Sequence, residues 1–209
     1  MDFSLWLAFV AASLALLLIP GPTVLLVLSY ALSQGKRVAV ATAAGVALGD
    51  LIAMSASLAG LGALVLASAT LFTMLKWVGA VYLVYLGIKL FRSARSAEFG
   101  DVTAQTDTSA RQVFGHAAAV TALNPKSIVF FIAFVPQFID VNTALVPQFA
   151  ILVATFVSLA GLNALAYALL ADRLRARIAR PAVLAGMSRV GGAALVAMGV
   201  ATAAFKRTA

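Results

Sequence analysis

The chain has 209 residues, of which 63% are hydrophobic and only 11% charged, with a formal net charge of +8. A soluble domain carries about 25% charged residues, so this composition excludes an ordinary water-covered globule. Cysteine is absent, which excludes disulfides, thiolate metal sites and dithiol redox chemistry.

A membrane-spanning helix needs about 20 apolar residues, and six runs qualify: 4–33, 38–66, 70–91, 113–139, 147–171 and 184–205. The start Met1-Asp2-Phe3-Ser4-Leu5-Trp6 lacks the positive region of a secretory signal, so the first run is expected to stay as a transmembrane helix. It is interrupted by Pro20-Gly21-Pro22. Proline in a helix interior removes a hydrogen bond and clashes with the preceding turn. At membrane depth, broken backbone is tolerated only where protein or water covers it. Transporters use such half-helix ends to hold polar substrate groups near the midplane. Gly21 would let the backbone approach a ligand closely. A simple kink is the alternative.

The second run carries Asp50 far from either end. An aspartate at the bilayer centre costs about 3 kcal/mol on insertion scales and needs a partner or a task. Ala41, Gly45 and Gly49 recur every four residues beside it, a small-residue stripe that allows close helix contact. Asp50 is therefore expected to face the bundle interior. The third run, with interfacial aromatics Phe72, Trp77 and Phe91, holds Lys76 a turn or two from its outer end. Lys76 either pairs with Asp50 or snorkels to the interface.

Ser93 to Ser109 is the one clearly polar stretch, read as a hydrated, flexible connector that could form no core. Residues 93–112 thus join two three-helix units, 1–92 and 113–209. The fourth run breaks at Asn124-Pro125-Lys126. Lys126 lies about 15 Å deep if its helix starts near residue 115, where it would attract a carboxylate or else snorkel inward. His116, the lone histidine, reads as a solvated or capping residue. In the fifth run Asn163 lies near the repeat position of Asp50 and is expected to make an interhelix bond. In the sixth, Arg189 reads as an interface anchor.

Six spans put Lys36, Arg37, Lys89, Arg92, Arg95, Arg111, Arg173, Arg175, Arg177 and Arg180 on one side. The positive-inside rule makes that side cytoplasmic and both termini external. Lys206 and Arg207 oppose this bias, and a five-span reading would move one terminus inside. A charge of +8 on a soluble protein would suggest nucleic acid; basic residues placed between apolar runs do not, and no nucleic-acid partner is expected. The two units also resemble each other. Val78, Gly79, Leu83, Val84 and Gly87 match Val190, Gly191, Leu195, Val196 and Gly199, and Gly21-Pro22 and Gln34 align with Asn124-Pro125 and Gln137. A repeat of three spans must insert in opposite orientations, so the expected fold is an all-α integral membrane protein of about six helices in two inverted three-helix repeats.

Pro-Gly-Pro in the first span, Gly-Val-Ala-Leu-Gly-Asp in the second, residues 76–90 in the third and 124–138 in the fourth together resemble the LysE/RhtB family of bacterial amino-acid exporters. The resemblance implies a multi-pass inner-membrane exporter of amino acids or their derivatives, driven by the proton gradient. It puts Pro20, Gly21, Pro22, Gly49, Asp50, Lys76, Asn124, Pro125 and Lys126 in the functional core.

In that mechanism half-helix N-termini and Lys126 hold a carboxylate, Asp50 receives an ammonium or the coupling proton, and the repeats rock about the site. The expected partners are a small amino-acid substrate and the lipid bilayer, with no cofactor. The small-residue stripes suit internal packing or a homo-oligomer equally. An exporter of metal or inorganic cations is the nearest rival, but metal selection calls for clustered His, Cys or carboxylates. Enzymatic acid–base hydrolysis needs paired groups in hydrogen-bond reach, which the chain does not offer, so no enzyme is expected. A channel would pass currents in planar bilayers.

Overall fold

Apolar runs become helices here because, in lipid, every backbone N–H and C=O must be satisfied within its own segment. The computed structural model describes residues 1–17, 22–34, 36–93, 109–171 and 181–204. Within them the chain forms α1 (Phe3–Leu17), α2 (Pro22–Gln34), α3 (Lys36–Ala67), α4 (Ala69–Ser93), α5 (Ala110–Ala122), α6 (Pro125–Phe134), a 3-10 turn (Val135–Phe138), α7 (Leu145–Leu169) and α8 (Pro181–Ala204). No strand occurs among the described residues. Pro20, Gly21, the polar connector over 94–108, the arginines from Arg173 to Arg180, and Lys206 with Arg207 lie outside them.

The expectation of about six transmembrane helices is met only in part. Among the described residues, Arg37–Ala67, Ala69–Arg92 and Leu145–Leu169 are each long and apolar enough to cross a membrane. Ala110–Ala122 with Ser127–Phe138 makes a fourth crossing only as a pair bent by 49°. The first and fourth apolar runs are each two helices, because an apolar stretch records residues and not helical continuity. The resumption comes at a proline both times, Pro22 and Pro125.

Local chemistry sets the ends. Ser109 caps α5 in a reciprocal box with Gln112: its Oγ accepts from the Gln112 N–H at 3.3 Å and its own N–H donates to Gln112 Oε1 at 3.0 Å. That cap starts the helix at Ala110, three residues before the expected 113. Ser68 alone joins α3 to α4, its Oγ accepting from the Leu71 N–H at 3.2 Å.

Side-chain contacts give the direction of each helix. The pairs Gly45 with Ala117 and Gly49 with Thr121 make α3 and α5 parallel. Ala47 with Gly161 and Gly62 with Phe149 make α3 and α7 antiparallel. Trp6 Nε1 donates to Thr155 Oγ1 at 3.0 Å and Asn163 Nδ2 to the Leu17 carbonyl at 2.9 Å, so α1 runs parallel to α7.

The α4–α8 contact is antiparallel and reciprocal. A Cβ at Gly87 would stand 2.6 Å from the Gly192 carbonyl oxygen and 2.8 Å from Val196 Cγ2. A Cβ at Gly199 would stand 2.6 Å from the Ala80 carbonyl oxygen and 2.5 Å from Val84 Cγ2. Apolar attraction between helices is weak in lipid, so such close backbone approach is what makes packing favourable.

The core is divided along the membrane normal. One cluster joins Phe9, Met54, Leu58, Phe130, Phe131, Phe134, Leu152 and Phe156. A second, richer in small side chains, joins Val27, Ala39, Ala43, Val46, Ala117, Ala164 and Ala168 with Leu28 and Tyr167. By the helix directions the first lies toward the Ser68 end of α3. The second lies toward the end that carries Arg37, Lys89, Arg92 and Arg111.

Candidate functional site: a polar belt between two apolar cores

On α3 the buried face runs Ala39, Ala43, Val46, Asp50, Met54, Ser57, Leu61, at the three- and four-residue spacing of one helix side. Residues through Val46 belong to the small-residue cluster and those from Ala53 onward to the aromatic one. Asp50 falls between them, 8% exposed, with no hydrogen bond or ion pair to it among the described residues.

The other elements repeat this arrangement. On α7 Asn163 lies between Ala160 of the aromatic cluster and Ala164 of the other. Between Ala117 and Phe130 come Thr121, the C-cap Leu123 and Asn124. Between Phe9 and Val24 come Ser13 and the end of α1 at Leu17. The heights agree. A Cβ at Gly49 would lie 3.0 Å from the Ala122 nitrogen, and Asn163, which binds Leu17, is two residues from the Gly161–Ala47 contact. The end of α1 at Leu17 and the break between α5 and α6 therefore sit within roughly 8 Å of the level of Asp50 along the axis, at 1.5 Å per residue.

The fourth-span break follows from its sequence. Pro125 has no N–H to offer the Thr121 carbonyl and disfavours helical backbone at Asn124. The Thr121 carbonyl takes the Asn124 N–H instead, at 3.3 Å, while the Asn124 carbonyl accepts from Ile128 at 3.1 Å and opens α6. The free N–H groups of a helix start carry partial positive charge, so α6 begins at the belt as a place for a negative group.

Of the expected site residues, Gly49, Asp50, Asn124 and the α6 start made by Pro125 and Lys126 gather at this belt; of the last two, and of Pro22, only the backbone is described. Pro20 and Gly21 lie outside the described residues. Gly49 acts on a neighbouring helix: a Cβ there would stand 2.5 Å from Thr121 Cβ and 2.7 Å from the Ala118 carbonyl oxygen.

Lys76 stands apart. Asp50 is 18 residues before the hairpin at Ser68 and Lys76 eight after it. For straight helices that keeps their Cα atoms roughly 15 Å apart or more at any crossing angle, beyond the reach of the two side chains. Lys76 is half-buried, and its carbonyl accepts from Gln137 Nε2 at 3.1 Å. His116 is exposed, its Nδ1 3.3 Å from the Tyr30 hydroxyl.

Two polar groups were not anticipated. Ser13 Oγ and Thr121 Oγ1 are buried, in residues 0% and 2% exposed, and neither has a hydrogen-bond partner among the described residues. The available signal was the spacing Val113, Ala117, Thr121, one buried side of α5.

Comparison with known proteins shows the family. The family model "LysE type translocator" matches residues 14–204. A homoserine/homoserine lactone efflux protein of Salmonella typhimurium is 34% identical over 206 residues, covering 99% of both chains. An uncharacterized membrane protein of Vibrio cholerae is also 34% identical over 206 residues, 99% of this chain and all of its own. A leucine efflux protein of Klebsiella pneumoniae is 31% identical over 137 residues, 66% of this chain and 64% of its own. No solved structure matches. Given a family match over nearly the whole length and relatives covered end to end, this chain belongs to the LysE type translocators.

Proposed function

We propose that the chain is a secondary exporter of amino acids or their derivatives in the bacterial inner membrane, working by proton antiport and alternating access. It crosses the membrane six times as two inverted three-helix repeats. The observation that carries this reading is the polar belt: a buried carboxylate, unpartnered among the described residues, near the levels of the end of α1 and the α5–α6 break, with an apolar cluster on either side. A substrate held there has a hydrophobic seal toward each face.

The helix directions support the six crossings, since α1, α3, α4, α5, α7 and α8 alternate in chain order. The reciprocal glycine contacts support the inversion. Gly87 packs on Val196 and Gly199 on Val84, and these are the repeat-matched pairs exchanged. An antiparallel pair with exchanged contacts implies a two-fold axis perpendicular to both helices, which lies in the membrane plane.

The chemistry follows from the substrate. An amino acid presents an ammonium and a carboxylate. The carboxylate meets the start of α6 and Lys126; the ammonium meets Asp50. The relative named for homoserine and its lactone suggests the ammonium as the obligatory handle, since the lactone lacks the carboxylate. A single carboxylate that holds either an ammonium or a proton couples the two, because proton arrival from outside displaces the substrate. Among the described residues no three His, Cys, Asp or Glu stand together to hold a metal ion, so no observation favours the metal-exporter reading.

Cells loaded with dipeptides and expressing the chain test this directly. At least one released amino acid should leave faster than from control cells. Asp50→Asn should abolish the difference while the protein still inserts. No accelerated efflux of any amino acid, or wild-type efflux from the Asp50→Asn protein, would overturn the assignment.

A further inference from the structure

Thr121 breaks a habit that the chain keeps elsewhere. A hydroxyl inside a helix can satisfy its proton by donating to the carbonyl four residues back. Thr42 does so to Val38 at 2.9 Å, Ser57 to Ala53 at 2.7 Å and Thr73 to Ala69 at 2.9 Å. Thr121 makes no such bond although its residue is 2% exposed. A buried hydroxyl without a partner in a native protein calls for water or a ligand.

Its position narrows the choice. The Thr121 side chain packs on Gly49, the residue before Asp50, and Thr121 ends the last full turn before the break at Asn124. Among the described residues, an unpartnered hydroxyl thus packs against the residue next to an unpartnered carboxylate, both in buried residues and both near the level of the fourth-span break. The two oxygen groups together suit a donor with several N–H bonds and a positive charge. A primary ammonium has three. Water alone would satisfy the hydroxyl but would offer no positive charge to the ionised carboxylate, the form that binds substrate in the export cycle.

Resting on the export reading above, we infer that Thr121 is a specificity-determining residue: its hydroxyl oxygen accepts from the same substrate ammonium that Asp50 binds. The side chain selects for a free amino group, because an N-acylated substrate has one N–H, no charge and a bulky carbonyl.

The test uses everted membrane vesicles, in which export appears as uptake, with homoserine and leucine as substrates and their N-acetyl derivatives as competitors. Thr121→Val keeps the shape and removes the oxygen; Thr121→Ser keeps the oxygen. Thr121→Val should raise KM about ten-fold, the loss expected for one hydrogen bond to a charged group. It should also narrow the preference for free over N-acetylated amino acid, at unchanged membrane abundance. Thr121→Ser should restore both to near wild type. If wild-type vesicles transport but Thr121→Val leaves KM and the preference unchanged, the inference fails and the export reading stands. If both values move equally in Thr121→Ser, the role is packing and the inference fails. If wild-type vesicles take up neither these two nor any other amino acid released in the dipeptide assay, the export reading fails and this inference with it. If the Thr121→Val protein does not insert, the Thr121→Ser and Thr121→Ala proteins decide by the same ratio of free to N-acetylated substrate.

Discussion

Replacing Gly49 by alanine puts one methyl group into a tight part of the α3–α5 seam. Ordinary contact begins near 3.4 Å, yet that methyl would stand 2.5 Å from Thr121 Cβ, 2.7 Å from the Ala118 carbonyl oxygen and 3.0 Å from the Ala122 nitrogen. Two of the three obstacles are backbone atoms of a helix, which no rotamer change can move, so α3 and α5 must part by several tenths of an ångström. Overpacking of this kind costs about 1–3 kcal/mol. Gly60 lies on the same helix with nothing within 4 Å of an added Cβ. There, alanine only gains the helical preference it has over glycine, about 0.5–1 kcal/mol. The two substitutions should therefore differ by about 1.5–4 kcal/mol, with opposite signs. Chemical denaturation of each purified variant in one detergent measures the difference, with dipeptide-fed efflux measured in parallel. Gly49→Ala should also lose export out of proportion to its stability, because the separation falls beside Asp50. Equal stability of Gly49→Ala and Gly60→Ala would refute the close-packed seam and with it the height assigned to Thr121.

Two further outcomes follow from the geometry. Gly87→Ala and Gly199→Ala should destabilise the detergent-solubilised protein by similar amounts, each about 1–3 kcal/mol, because each methyl meets a carbonyl at 2.6 Å and a valine at 2.8 or 2.5 Å; a clearly unequal pair in the same denaturation assay would argue against the internal two-fold. Asn163→Leu should cost roughly 0.6–1.7 kcal/mol, the range for interhelical hydrogen bonds in membranes, since it removes the donor to the Leu17 carbonyl at 2.9 Å; thermal unfolding unchanged from wild type would show that bond to be dispensable.

Some of this molecule is written in single residues. Membrane insertion, helical class and the two interruptions follow from apolar runs and prolines, because partition into lipid and loss of a backbone donor are properties of a local stretch. The stripe of Ala41, Gly45 and Gly49 announced close contact, and Asn163 announced an interhelix bond, but neither named its partner. Lys76 misled because a short hairpin suggests proximity, whereas the axial offset from Asp50 depends on both distances to the turn. Thr121 and Ser13 were invisible for a related reason: a hydroxyl on an apolar run reads as back-bonded until its surroundings are known. The division of the core into an aromatic and a small-residue half, with Asp50, Thr121, Asn124 and Asn163 at the boundary, depends on how separate stretches of chain align in height. That alignment is set by backbone approach at Gly45, Gly49, Gly87 and Gly199, and such long-range register has no counterpart in the order of the residues along the chain.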